Sequence, residues 1–133
     1  PSSRRWPGAD VGAPHVALVR APIDVAALLA RVADHATGAT TLFLGTVREV
    51  NDGRAVTGIE YSAYDAMATR EMAAILAEAA ERWSGTRLAL EHRLGTLGLG
   101  EASVAIAVAH PRRAPALDAQ RYVIEELKRR VPI

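Results

Sequence analysis

The spacing of apolar residues changes period several times along the chain, and each change marks an element. From Ala66 to Trp83, the residues Ala68, Met72, Ile75, Leu76, Ala79 and Trp83 recur at helical spacing, which predicts an amphipathic helix with one buried face. A shorter helix is predicted after Pro22-Ile23-Asp24. Asp24 is its N-cap, Val25, Leu28, Leu29 and Val32 form its inner face, and Gly38 is its stop. A third follows Pro111-Arg112-Arg113, where Ala116, Gln120, Val123, Ile124, Leu127 and Val131 share a stripe.

Between the helices the period shortens towards that of strands. Strands are predicted at His15–Arg20, Ala39–Val47, Ala55–Tyr64, Thr86–Leu94 and Ala102–Ala109. In the third of these, Ile59 and Tyr61 alternate with Glu60 and Ser62; in the last, valine and isoleucine alternate with alanine. Gly45 inside the second suggests a bulge or a close backbone approach. Arg48 to Gly53 reads as a hairpin turn on its Asn-Asp-Gly ending, and Gly95–Gly100 (GTLGLG) reads as another turn. The order β α β β α β β α predicts an α+β fold with a mixed or antiparallel sheet and three main helices, not a doubly wound parallel sheet.

The length of 133 residues suits one domain. That domain is expected over residues 15–133. Residues 1–14, rich in Pro, Gly and Ser and without periodicity, are expected to form a flexible arm that Trp6 could pin. The opening proline implies a processed or trimmed chain. Half of the residues are apolar and the net charge is +1, so no whole-molecule field draws the chain to nucleic acid or membrane. The absence of cysteine excludes disulfides, thiolate metal sites and a cysteine nucleophile. With no apolar run of membrane-spanning length and no signal-peptide pattern, a cytoplasmic location is expected. The four histidines lack HxxxH or HExxH spacing, so neither a metal nor a cofactor is expected. GTLGLG lacks the Walker lysine and precedes a strand, and no GxSxG elbow is present.

Cations are what remain. Fifteen of the sixteen basic residues are arginine; the exception is Lys128, beside the apolar stripe of the last helix. Lysine differs from arginine in being able to give up its proton when desolvated. A position at the border of a buried face, near an arginine, disfavours its charged form. The plainer alternative is a lysine that buries its stem and keeps its ammonium in water. Arg48, Arg93, Arg112 and Arg113 fall on loops and strand ends, where arginines suit phosphate or carboxylate. They form one site only if the fold gathers them; otherwise each pairs with a surface acid.

A resemblance gathers these residues. Phe43-Leu44-Gly45-Thr46-Val47-Arg48, with Asn51 and Gly53, resembles the FxGxVRxxNxG segment of the molybdopterin synthase large subunit (MoaE) family. Ile59-Glu60-Tyr61-Ser62-Ala63-Tyr64 and Met67-Ala68 resemble its LxYEAYxxMA segment. His92-Arg93-Leu94-Gly95-Thr96-Leu97 with Gly100-Glu101 is similar to HRxGxLxxGE. Pro111-Arg112-Arg113-Ala114, Ala116 and Ala119 resemble PHRAxAFxA, and Leu127-Lys128 with Val131-Pro132-Ile133 resembles LKxxVPI. Together these segments cover about residues 39–133.

The resemblance implies an α/β hammerhead-like fold with an added β subdomain and a sulfurtransferase activity. Precursor Z, a cyclic pyranopterin monophosphate, would be converted to molybdopterin. The sulfur would come from the thiocarboxylated C-terminal glycine of a small ubiquitin-like (MoaD-type) subunit. It also implies a homodimer of large subunits within a heterotetramer. Lys128 matches the family's catalytic lysine, and Arg48 and Arg113 match active-site positions that hold phosphate or stabilise developing charge. Arg112, Arg93, His110 and Phe43 are candidates for substrate or tail binding, with a structural salt bridge the alternative for Arg93. Arg112 stands where the family usually has histidine, and His110 lies two residues earlier. The family pattern continues past Ile133 with a tryptophan and a further lysine. A non-catalytic module that binds an anionic ligand or acidic tail through the same pocket is the alternative function. RNA binding through Arg112, Arg113, Arg129 and Arg130 is disfavoured by scarce aromatics and a net charge near zero.

Overall fold

The computed structural model describes residues 12–51, 54–55, 58–61 and 65–131. Trp6 and the first eleven residues of the expected arm, the Asp52-Gly53 turn, Tyr64 and Pro132-Ile133 lie outside the described residues. In chain order the elements are β1 (His15–Val19), α1 (Val25–Val32), β2 (Ala39–Thr46), β3 (Val50–Asn51), β4 (Arg54–Ala55) and β5 (Gly58–Tyr61). There follow α2 (Asp65–Arg82), β6 (Arg87–Arg93), β7 (Gly95–Gly98), β8 (Ala102–His110) and α3 (Arg113–Arg130).

Four strands make the main sheet in the order β1-β6-β8-β2. β1 runs parallel to β6, and the β6–β8 and β8–β2 pairs are antiparallel. The sheet is therefore mixed and the class α+β, as the alternation of hairpins and helices predicts. β8 explains the layering. Its residues Ser103 to His110 are all buried, and side chains of a strand alternate between faces. Val104, Ile106 and Val108 enter the core with Met72, Ile75 and Leu76 of α2 and Val123 and Leu127 of α3. Ala105, Ala107 and Ala109 face the other way, against Leu28 and Val32 of α1. Bulky residues meet two long helices on one face; alanines let a short helix lie close on the other. Among the described residues no helix is long and apolar enough to cross a membrane.

Helix α1 begins as its sequence requires: the Asp24 carboxylate accepts the Ala27 amide at 3.0 Å. Its end corrects the expectation for Gly38. The helix stops at Val32 with an extended Ala33, and Asp34 organises the following turn through the Ala36 amide at 2.9 Å. Gly38 serves packing instead, since a Cβ there would lie 2.8 Å from the Pro111 carbonyl oxygen.

Two further expectations are corrected. Within the predicted strand over 55–64, the described residues pair with two different partners: Ala55 of β4 pairs antiparallel with β3, and β5 pairs antiparallel with β7. The partner of β5 lies in the GTLGLG run, so Gly95–Gly98 is a strand and not a turn. The turn follows it, with Gly100 at φ +81°.

Candidate functional site

Arg48 leaves the sheet at the far end of β2. The register of β2 on β8 shifts between Gly45 and Thr46, and the Ser103 hydroxyl donates to the Gly45 carbonyl at 3.1 Å. A Cβ on Gly45 would lie 2.7 Å from Val104 Cγ1, so this bulged position has no room for a side chain. Beyond the bulge, Val47 is buried and pairs with the β7–β8 turn. Its amide donates to the Glu101 carbonyl at 3.0 Å, and its own carbonyl accepts the Gly100 amide at 2.7 Å. Arg48 follows with an exposed side chain.

Arg93 stands behind this junction. Its guanidinium donates to Glu101 Oε2 at 2.6 Å, with only 12% of the arginine side chain exposed, while Glu101 Oε1 accepts the Gly98 amide at 2.6 Å. The Gly98 amide, then the Arg93 guanidinium, hold the Glu101 carboxyl below the usual carboxylate range. Arg93 is thus engaged in the salt bridge that was its alternative role. Its neighbour His92 is buried, and desolvation pushes the imidazole below its ordinary value.

Helix α3 connects the remaining candidates. It turns back directly after β8 and lies over β8 and β2. Midway along it, Gln120 Nε2 donates to the Ile106 carbonyl and to Thr41 Oγ1, both at 3.0 Å. From Arg113 to Lys128 the helix rises about 22 Å at roughly 1.5 Å per residue. β8 covers about 26 Å between His110 and Ala102 at roughly 3.3 Å per residue. Lys128 therefore returns to the end of the sheet where Arg48 emerges. It is exposed, so the chain by itself does not supply the partial desolvation expected of it. Phe43, on the β2 face beneath α3, packs against the main core and is half-buried.

His110, Arg112 and Arg113 occupy the opposite end. His110 pairs with Ala39 at the start of β2, whereas Thr46 pairs with Ala102. Arg48 and the arginine turn are therefore separated by the length of β2, roughly 23 Å at 3.3 Å per residue. The structure brings Arg48 and Lys128 to one end and does not bring Arg112 and Arg113 to them within one chain. His110 is 1% exposed and holds the turn: its Nδ1 accepts the Arg112 amide at 2.9 Å and its Nε2 donates to the Ser84 carbonyl at 3.0 Å. Both ring nitrogens face the backbone, which suits a structural imidazole. Arg112 is the N-cap of α3 without a side-chain cap, and Arg113 is its first residue; both are exposed. Cations at the positive end of a helix dipole are unfavourable unless an anion sits among them.

Arg129 and Arg130, considered for RNA, pair with acids. Arg130 bonds Glu71, Glu78 and Glu126, and Arg129 pairs with Glu126. A cavity of about 200 Å³ lies elsewhere, at the start of β1 and β6, lined by His15, Arg31, Thr86 and Arg87 among others. Two of its polar side chains already face acids: His15 lies 2.8 Å from Glu91, and Arg87 3.9 Å from Asp34. We place the candidate site at the cationic ends of β2, not there. The residue that sequence reasoning passed over is Glu101. It stands in the HRxGxLxxGE-like segment, and that match was its only signal.

Comparisons with known proteins bear on this arrangement. The MoaE protein family pattern matches residues 18–130. A "Molybdopterin synthase catalytic subunit" of Bacillus subtilis is 42% identical over 116 residues, covering 87% of this chain and 74% of that protein. One from Oryza sativa subsp. indica is 50% identical over 111 residues, covering 84% of this chain and 58% of its own length. The chain thus spans less than two thirds of the rice relative. The crystal structure of molybdopterin synthase from Staphylococcus aureus superposes with a TM-score of 0.83 at 36% identity, covering 86% of this chain and 84% of that one. The pattern match across nearly the whole domain, with the same fold in the staphylococcal protein, establishes that this chain belongs to the MoaE family.

Proposed function

We propose that this protein is the large subunit of a molybdopterin synthase. It would act in the cytoplasm as a sulfurtransferase that moves sulfur from the thiocarboxylated C-terminus of a small ubiquitin-like subunit to precursor Z. The observation that carries this reading is the return of Lys128, the chain's single lysine, to the sheet end that bears Arg48. Both lie within residues 18–130, the stretch that the MoaE protein family pattern matches. In this reading Lys128 lies beside the thiocarboxylate as acid/base or electrostatic catalyst, and Arg48 holds phosphate or stabilises developing negative charge. Docking of the small subunit's tail beside Lys128, in a channel that Phe43 helps to shape, would supply the desolvation that the chain alone does not.

Arg113 and Arg112 enter through a second copy. β2 is the edge of the main sheet, and Leu42 and Leu44 on it are 39% and 40% exposed. Two copies related by a two-fold axis, with their β2 edges antiparallel, would bring the Arg48 end of one to the Arg112-Arg113 end of the other. A homodimer, with a small subunit at each outer end, then holds two complete cationic sites. Each has room for an anionic tail and a cyclic phosphate.

The test is direct. The protein is mixed with a thiocarboxylated small subunit and precursor Z, and dithiolene product is measured. Product that falls at least a hundredfold in Lys128→Ala, with the tail still bound, supports the enzyme. Tail binding without product from the unaltered protein overturns the enzyme and leaves the anion-binding module.

A further inference from the structure

We infer that Glu101 and Arg93 are positioning residues for Arg48, acting through the backbone of the β7–β8 turn. The inference rests on the functional reading above for its catalytic consequence and on hydrogen bonds alone for its mechanical one. Arg93 and the Gly98 amide each take one oxygen of the Glu101 carboxylate, both at 2.6 Å. That fixes the side chain from two directions. The backbone of the same turn then grips Val47 from both sides, the Glu101 carbonyl accepting at 3.0 Å and the Gly100 amide donating at 2.7 Å. Val47 is 3% exposed, so it cannot shift without opening the core, and Arg48 is the next residue. An exposed arginine on a connecting segment loses much conformational freedom if it is to meet a phosphate in one geometry. Here the backbone that leads into Arg48 is fixed before any ligand arrives.

Arg93 thereby takes a different role from the one its motif suggested. A side chain 12% exposed whose guanidinium is bonded to Glu101 has little left to offer a substrate. Glu101, being acidic, would repel both the phosphate and the thiocarboxylate if it faced them. Tied to Arg93 and Gly98, both of its oxygens are turned to partners within the protein, and the Arg93 guanidinium offsets its charge.

Two measurements on the full chain test this. Amide hydrogen exchange reads the mechanical link without any reaction. In Glu101→Ala the Val47 amide should exchange at least tenfold faster, while that of Ile75 in α2 stays as slow as in the unaltered protein. Glu101→Gln, which keeps an acceptor for the Gly98 amide, should lie between the two, and it serves if the alanine variant does not fold. An unchanged Val47 rate in both variants overturns the inference.

The second measurement is a double-mutant cycle in the synthase assay. Glu101→Ala alone should lower kcat/KM about tenfold, mainly through KM for precursor Z. In an Arg48→Ala background it should have no further effect. Losses that multiply in the double variant would show that Glu101 acts independently of Arg48 and overturn the catalytic half. Should the unaltered protein form no product, the functional reading fails, and the exchange experiment still decides the link.

Discussion

Arg130 grips Glu78 across the α2–α3 interface with a two-point fork, Nη1 to Oε1 at 2.6 Å and Nη2 to Oε2 at 2.9 Å. Its Nε donates to Glu71 at 2.6 Å, so one guanidinium ties the last turn of α3 to two turns of α2. Tyr122 adds a 2.6 Å bond from its hydroxyl to Glu78. The last turn of α3 carries Lys128, and it ends on extended Val131 without a glycine cap.

This fork has a pH signature. Arg130, then Tyr122, hold the Glu78 carboxyl down at about 2, against an ordinary value of 4.5. A carboxyl depressed in the folded state contributes stability above its unfolded value and loses it as pH falls towards the folded one. The unaltered protein should therefore lose stability between about pH 5 and pH 2, and Glu78→Gln should show a flatter loss there in urea melts. Because the glutamates are partly exposed, Arg130→Ala should cost only about 1 kcal/mol at neutral pH. That difference should shrink in high salt. Equal pH slopes for the unaltered protein and Glu78→Gln would contradict the assignment.

His110→Leu should be among the more damaging changes outside the hydrophobic core. It takes the imidazole from the Ser84 carbonyl and the Arg112 amide, whose bonds to the ring are 3.0 and 2.9 Å. Each such group that water does not reach once the ring is gone costs about 1–3 kcal/mol. Chemical denaturation checks the sum, and a loss under 1 kcal/mol would mean that water replaces the ring at no cost.

Gly38→Ala tests a contact that only backbone atoms make. The added Cβ would meet the Pro111 carbonyl oxygen at 2.8 Å, and that oxygen belongs to the turn leading into Arg112. Overpacking of this kind costs about 1–3 kcal/mol. A thermal melt indistinguishable from the unaltered protein would show that the turn can move aside.

Much of the fold was legible because its signals are local. Asp24 capped α1 as its chemistry requires. The valine/isoleucine and alanine alternation of β8 announced a central strand, although not that the alanines make room for α1. What was not legible is pairing. Nothing in Gly95–Gly98 reveals that it joins β5, because glycine-rich runs serve turns and strands alike and the partner lies over thirty residues away. Gly38 misled for a related reason: a glycine after a helix usually caps it, and only the position of Pro111 shows otherwise. At the candidate site the residue types were readable and their grouping was not. Helical periodicity placed Lys128 beside the buried stripe and said nothing of how far its ammonium reaches into solvent. The link from Arg93 to Glu101 needed coordinates, since an ion pair is a distance and not a spacing.

The length of β2, which keeps Arg48 and Lys128 from Arg113, has a genetic consequence. If each working centre draws on two chains, a Lys128→Ala protein and an Arg113→Ala protein, both inactive alone, should rescue one another once their subunits exchange. In a mixed pair one centre collects both lesions and the other none, so random reassortment of equal amounts should restore about a quarter of the original turnover. A site completed within a single chain would stay silent in every mixture.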